Sequence, residues 1–165
     1  MDESLNGSRY INRTARFSLA LPSDWIINEQ VHHSPSTLAW LSTPDKLNWV
    51  AVTRERGTGT VTDAKELFEV NTRKNLTDYE KLSESSVTID GKAAVLIAFR
   101  AAVPGNSNLR VTYLAAIIPS ANTSNTVMAW CAEPRFHDMR PTFEKILTSY
   151  RGTEQPAAAA ASSQP

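Results

Sequence analysis

Residues 114–118 constrain the fold of this chain more than any other segment. They read Leu-Ala-Ala-Ile-Ile, so a strand formed by them is apolar on both faces. Each face has to be covered, because apolar surface is otherwise left in contact with water. The segment therefore predicts a central strand in a sheet that carries helices or loops on both sides.

The segments on either side of this strand predict that the sheet is antiparallel. Asp90 and Gly91 separate residues 87–89 from residues 93–99, and an Asp-Gly pair is the strongest short signal for a hairpin. The type I′ turn that such a pair favours needs positive φ at both central positions. Later turns are expected at 104–106 and 121–125, with strands over 109–118 and 126–132.

The first third of the chain also has the pattern of short strands. Phe17, Leu19 and Leu21 alternate with smaller residues, which is the period of a half-buried strand. A strand is expected to begin at Trp25, and two more are predicted over 36–41 and 48–54. We expect all of these strands to join one antiparallel sheet.

Two helices are predicted between and after these strands. The first covers residues 63–76, with Thr62 or Asp63 as its N-cap. The second is expected to begin near Pro141, with Asp138 as its cap, and to stop at Gly152. Its apolar residues recur at helical spacing: Phe136, Met139, Phe143, Ile146, Leu147 and Tyr150.

The composition shifts at both ends of the chain. Residues 1–8 are polar and are expected to be flexible, residues 9–152 form one α+β domain, and residues 153–165, rich in alanine, are expected to form a disordered tail.

No apolar run approaches the roughly 20 residues that a membrane helix needs. The start does not resemble a signal peptide. This indicates a cytoplasmic protein if Met1 is the native start, and a bacterial cell-envelope protein if an upstream signal was removed.

Charge and cysteine content exclude several classes of function. The 17 basic and 17 acidic residues cancel, so no overall field draws the chain to nucleic acid or to an anionic membrane. The chain has one cysteine, which excludes an intrachain disulfide and a cysteine-based zinc site. We therefore expect no nucleic-acid partner, no metal and no cofactor.

Three motifs occur in an order that is typical of one superfamily. The first is Phe-x-Leu-x-Leu-Pro-x-x-Trp, formed by Phe17, Leu19, Leu21, Pro22 and Trp25. The second is the hairpin Val-x-Ile-x-Gly-x-x-Ala, formed by Val87, Ile89, Gly91 and Ala94. The third is the helical segment 143–150, Phe-Glu-Lys-Ile-Leu-x-Ser-Tyr. In this order the motifs resemble the PsbP/Mog/DcrB-like superfamily.

That superfamily includes the PsbP subunit of photosystem II, the Ran-binding Mog proteins and bacterial envelope proteins of unknown function. Some type VI secretion effector chaperones share its fold. The resemblance covers nearly the whole core and implies an antiparallel β-sheet flanked by helices on both faces, an α/β/α sandwich. It implies no catalytic residues, because the superfamily has no shared catalytic motif, and fold alone does not give function.

The residues that most often carry catalysis are sparse. Cys131 has His137 and Asp138 downstream, and this set is a hypothesis for a nucleophilic site. Cys131 is nevertheless surrounded by apolar residues, which favours burial as a small apolar side chain. His32 and His33 are adjacent, so on an extended segment their side chains point in opposite directions and do not favour one metal.

The loop before the first helix and the tryptophans are the remaining candidates. Residues 57–60 read Gly-Thr-Gly-Thr, which resembles an anion-binding loop but lacks the lysine of a P-loop. The four tryptophans, Trp25, Trp40, Trp49 and Trp130, are candidates for the core or for a shared groove. Close to the loop, one surface on the N-terminal half of the sheet is predicted to bind a partner through Trp40, Trp49, Arg54, Arg56, Gly57 and Gly59.

These observations favour a non-enzymatic binding, assembly or chaperone-like accessory module that acts through a protein or peptide partner. One alternative is a carrier of a small molecule or lipid, held in an apolar pocket between sheet and helix. A hydrolase is a further alternative, and burial of Cys131 would remove its main support.

Overall fold

The computed structural model describes residues 2–28, 35–57, 59–103 and 105–153. The strands, in chain order, are β1 Glu3–Asn6, β2 Arg9–Asn12, β3 Phe17–Ala20, β4 Ile26–Ile27, β5 Thr37–Ser42, β6 Asn48–Arg56, β7 Thr77–Ile89, β8 Lys92–Val103, β9 Asn106–Pro119, β10 Thr123–Ala132 and β11 Arg151–Gly152. The helices are α1 Val61–Asn75, between β6 and β7, and α2 Glu133–Thr148, between β10 and β11. The prediction for residues 153–165 lies outside the described part of the chain except for Thr153.

The larger sheet is antiparallel and has the strand order β4-β5-β6-β10-β9-β8-β7. Its centre is the segment predicted from the sequence, because β9 pairs with β8 on one side and β10 on the other. The five residues Leu114, Ala115, Ala116, Ile117 and Ile118 are completely buried. Asp90 and Gly91 have φ values of 55° and 72°, as the predicted type I′ turn requires.

The prediction of one sheet is wrong, because the N-terminal strands form a second one. This smaller sheet has the order β1-β2-β3-β11, and Glu3–Asn6 pairs with Arg9–Asn12. Residues 3–6, which lie in the segment 1–8 that is expected to be flexible, therefore form a strand of this sheet. The Tyr10 phenol donates to the Glu3 carboxylate, a contact between strands that alternation along a single strand does not reveal.

Helices cover both faces of the larger sheet, which confirms the predicted α+β architecture. On one face lie α2 and the smaller sheet, and on the other lies α1, which contacts β7, β8 and β9. We call these the α2 face and the α1 face. Because side chains alternate along each strand, β10 places Val127 and Ala129 on the α2 face and Met128 on the α1 face.

The second helix is longer than predicted. It begins at Glu133 with Pro134 in its first turn, and Pro141 lies inside it. The expectation that Pro141 begins the helix is therefore wrong, because the first-turn position that suits proline belongs to Pro134. The helix ends at Thr148 rather than at Gly152, which lies in β11. Burial of the predicted apolar residues on both sides of Pro141 explains why the helix continues through it.

The first helix begins within two residues of the prediction. Its N-cap is Thr60, whose hydroxyl accepts from the Asp63 backbone N–H, rather than Thr62 or Asp63. Asp63 in the first turn and Arg73 with Lys74 in the last turn complement the helix dipole. Within the described residues, neither helix combines the length and apolar character needed to span a bilayer.

Candidate functional site

Three of the four tryptophans form a row on the α1 face. Trp40, Trp49 and Trp130 come from the adjacent strands β5, β6 and β10. Ring centroids are 5.1 Å apart for Trp40 and Trp130, and 6.3 Å apart for Trp49 and Trp130. The row continues to Tyr113, whose ring centroid lies 5.8 Å from that of Trp130. All four side chains are only half-buried.

An apolar groove lies between this row and α1, and we call it the α1 groove. Its volume is about 310 Å³. The floor consists of Trp40, Tyr113, Met128 and Trp130, and α1 supplies Ala64, Leu67 and Phe68. Leu67 borders the groove and is 39% exposed. The groove is thus an open, apolar site on the half of the sheet that α1 does not cover.

The rim of the α1 groove is polar. Amide and hydroxyl side chains line it: Thr53, Asn71, Thr72, Asn75, Ser124 and Thr126. The lining includes one charged residue, Glu55, which is exposed. Amides and hydroxyls both donate and accept hydrogen bonds, so this rim suits an occupant with its own peptide or hydroxyl groups.

A second depression adjoins the row of tryptophans at the opposite end of the strands from residues 56–57. It has a volume of about 530 Å³ and shares Trp130 with the α1 groove. Leu47 and Leu109 line it and are 47% and 55% exposed. Lys46 also lines it, and its ammonium lies 5.7 Å from the Trp49 ring centroid. The apolar surface therefore extends beyond the α1 groove.

The two arginines predicted to share this surface do not lie on it. Along β6, Thr53 and Glu55 line the α1 groove, whereas Val50 and Val52 lie in the α2-face core. Arg54 follows Val52 by two residues and thus shares its face. Its guanidinium donates to Asn125 Oδ1 at 2.7 Å and to the Ala15 carbonyl at 2.8 Å. Arg56 is exposed at the end of β6, two residues after Arg54, and therefore lies on the same face of the strand as Arg54.

The two glycines contact the chain itself. A Cβ at Gly57 would lie 3.3 Å from the backbone carbon of Thr123, and Gly57 N–H donates to the Asn122 carbonyl at 3.1 Å. Gly59 has a φ of 87°, and a Cβ there would lie 3.2 Å from two carbonyl oxygens of the β9–β10 turn. The close backbone approach that the sequence indicates is thus an intramolecular contact, which holds the start of α1 against that turn.

Cys131 lies in the α2-face core and is 2% exposed. Burial raises the pKa of its thiol, an effect that the positive charge of Arg135 reduces only in part. A buried thiol with a raised pKa forms little thiolate, the reactive species. The main support for a hydrolase is therefore removed.

The metal hypothesis concerns residues that are only partly described. His32 and His33 lie outside the described residues. Within 2–28, 35–57, 59–103 and 105–153, no three His, Cys, Asp or Glu side chains are grouped so that they could hold a metal ion.

Neither protein-family models nor curated proteins match the sequence. Solved structures do match. Cyanobacterial PsbP (CyanoP) from Synechocystis sp. PCC 6803 is 17% identical with a TM-score of 0.67, over 90% of this chain and 97% of that chain. The Saccharomyces cerevisiae Ran-binding protein Mog1p is 11% identical with a TM-score of 0.62, over 92% of this chain and 97% of that chain.

A third similar structure is LpqN, a protein involved in cell envelope biogenesis of Mycobacterium tuberculosis. It is 17% identical with a TM-score of 0.58, over 92% of this chain and 87% of that chain. At these identities the likeness concerns the fold, and it covers 90–92% of this chain in the three structures. The chain has the PsbP/Mog-like fold.

Proposed function

We propose that this chain is a non-enzymatic binding module that holds an apolar peptide segment of a protein partner against the row of tryptophans. The observation that supports this most is the pair of open apolar depressions that share Trp130. Tryptophan is enriched among the residues that dominate interface energy, and an exposed apolar patch on a soluble domain is typical of an interaction site.

The shape of the surface favours a peptide over a compact small molecule. The α1 groove alone, at about 310 Å³, is at the lower end of ligand-pocket volumes. The apolar surface continues past Trp130 to Leu47 and Leu109, so an extended chain uses more of it than a compact ligand can. The polar rim offers hydrogen bonds to the peptide backbone, and Glu55 favours a basic residue in the partner.

One of the similar folds is consistent with this role. Mog1p is a Ran-binding protein, so one protein with this fold binds another protein. Its partner is not transferred to this chain, because the likeness concerns only the fold.

The proposal is tested with two variants of the same helix. Leu67 lines the α1 groove and Val70, which is 63% exposed, is not among its lining residues. Short peptides are selected on the wild-type chain from a random phage-displayed library, and their affinities for Leu67→Glu and Val70→Glu are then measured. We expect peptides with spaced apolar residues that bind Val70→Glu normally and Leu67→Glu at least tenfold more weakly, since a charge would be buried in an apolar site.

A carrier of small apolar molecules is the alternative, and the volume of the α1 groove supports it. Solvent extraction of the protein purified from its native source, followed by mass spectrometry, would identify such a molecule. A bound apolar molecule that Leu67→Glu loses, combined with a failure to select any peptide, would favour the carrier. Peptides that bind Leu67→Glu as well as the wild type would place the site elsewhere.

A further inference from the structure

A polar cleft of about 460 Å³ lies away from the α1 groove, where one end of the larger sheet meets the smaller sheet. We call it the basic cleft. Its walls come from the β2–β3 turn, β6, the β7–β8 hairpin, the β9–β10 turn and the segment after α2. The residues that matter here are Arg16, Arg54, Asp90, Lys92, Asn125 and Tyr150.

The basic cleft concentrates positive charge in a chain whose net charge is zero. Arg16, Arg54 and Lys92 face one carboxylate, that of Asp90, so the lining carries a formal charge of three minus one, or +2. Across the described ranges, the ion pairs within 4.0 Å involve other cations and none of these three. The charge is therefore not neutralised by direct pairing within the described protein.

The Arg54 guanidinium is fixed in place by neutral groups. Besides these bonds to Asn125 Oδ1 and the Ala15 carbonyl, it acts on the Tyr150 phenol, whose pKa is raised by burial and lowered in part by Arg54. Asn125 is 4% exposed and Tyr150 is 2% exposed, so both side chains are packed in the protein interior. A guanidinium has five N–H donors, and the Nη1 donors are not used by Asn125 or Ala15.

The other polar groups of the basic cleft are also held at its walls. Lys92 Nζ donates to Ser120 Oγ at 3.2 Å, which uses one of its three donors. Asp90 Oδ2 accepts from the Gly152 backbone N–H at 2.9 Å, so that its carboxylate is fixed beside the cleft. Thr123 adds a hydroxyl to the lining. Donors therefore converge from four separate segments of the chain.

We propose that the basic cleft binds the phosphomonoester group of a small molecule. A phosphomonoester carries a charge of about −1.5 to −2 at neutral pH, which matches the +2 of the lining. A fixed guanidinium and an ammonium are the usual partners of phosphate oxygens. The cleft is larger than a phosphate group, so it also has room for the remaining part of the ligand. The Asp90 carboxylate accepts a hydrogen bond from a hydroxyl or amine of that part, and it repels a second anionic group.

The test is calorimetric titration of the full chain with glycerol 3-phosphate at low ionic strength. We expect saturable binding with one site, and binding of dimethyl phosphate, a monoanion, that is at least tenfold weaker. Arg54 hydrogen-bonds Asn125 and the Ala15 carbonyl, so its substitution would also disturb the fold. The informative variants are therefore Lys92→Gln and Arg16→Asn. Each should weaken binding about tenfold, because each removes a charged hydrogen-bond donor.

Lys145→Gln is the matched control, since Lys145 is an exposed lysine of α2 outside the cleft. It should bind glycerol 3-phosphate like the wild type, and all three variants should unfold at the same temperature as the wild type. No binding to the wild type overturns the proposal, as does an equal loss in Lys145→Gln and Lys92→Gln. Tighter binding of a phosphoserine peptide than of glycerol 3-phosphate also overturns it, because the cleft would then recognise a protein. The outcome is independent of the α1 groove, which shares no residue with this site.

Discussion

The two faces of the larger sheet are built from different side chains and are covered to different extents. The α2 face is closed by α2 and the smaller sheet, and fully buried residues such as Phe17, Leu41 and Phe143 pack there. On the α1 face, the main contacts of α1 are with β7, β8 and β9. Beyond α1, the half-buried Trp40, Trp49 and Trp130 take the place of fully buried aliphatic residues.

The tryptophans show the difference within one residue type. Trp25 is 5% exposed in the α2-face core, whereas the three on the α1 face retain contact with solvent. Apolar surface left exposed is unfavourable for the isolated domain. We therefore expect the α2 face to supply most of the stability of this fold, and the α1 face is the surface that we propose for a partner.

The largest expected effect separates the stabilities of the two faces. Phe143 is completely buried and packs beside Phe136 with ring centroids 6.1 Å apart. Phe143→Ala should lower the free energy of unfolding by about 3–5 kcal/mol, because it leaves a cavity in a closed core. Leu67→Ala, on the α1 face, should lower it by less than about 1 kcal/mol, because Leu67 is already exposed. Denaturant unfolding measures both, and equal losses would contradict the comparison.

An intermediate effect is expected where α1 is attached to the β9–β10 turn. Gly59→Ala should destabilise the protein by about 1–3 kcal/mol, since the new Cβ meets two carbonyl oxygens in addition to the positive φ. Gly91→Ala is the control, because Gly91 also has positive φ but no atom within 4 Å of the new Cβ. Hydrogen exchange should show faster exchange of α1 amides in Gly59→Ala only. Unchanged α1 exchange would mean that the contact does not anchor the helix.

The smallest expected effect concerns the ion pairs that join α1 to β7. Hydrogen bonds from Lys81 and Lys65 lower the pKa of the Glu84 carboxyl below its usual value. This stabilisation is complete above the unfolded-state pKa of about 4.3 and is lost as the pH falls through the lower folded-state pKa. Because the side chains are partly exposed, the change should stay below about 1 kcal/mol.

Hydrogen exchange of α1 as a function of pH measures this contribution. Lys81→Met should reduce the increase in α1 amide exchange that acid causes, because Lys81 forms ion pairs with both Glu69 and Glu84. Lys74→Met, on the same helix, should leave it unchanged, since no described carboxylate lies within ion-pairing distance of Lys74. An identical response in the two variants would show that the network does not hold α1 to β7.

The burial of residues on the α2 face was easier to predict from the sequence than the surface on the α1 face. Residues 114–118 are a continuous apolar run and the apolar residues of α2 recur at helical spacing, so their burial could be predicted. The smaller sheet could not, because alternation indicates a strand but not the sheet that it joins. The long strand Thr77–Ile89 was missed before residue 87, since its exposed edge position allows polar residues on both faces.

The candidate site was predicted only in part. Trp40 and Trp49 do share a surface, but Trp130 joins them from a strand more than 80 positions later in the chain than Trp49. Arg54 was grouped with the tryptophans because it is close in sequence, yet the odd spacing along β6 places it on the opposite face. The basic cleft was missed because its cations come from three separate segments.

The claim that the α1 face is the binding surface is tested most directly by fluorine NMR of the chain labelled with fluorotryptophan. The four resonances are assigned by single Trp→Phe variants, and a peptide selected as described above is added. We expect the resonances of Trp40 and Trp130 to shift most. The Trp49 resonance should shift less, and the Trp25 resonance should not change. A complex that shifts Trp25 while leaving the other three unchanged would contradict the claim.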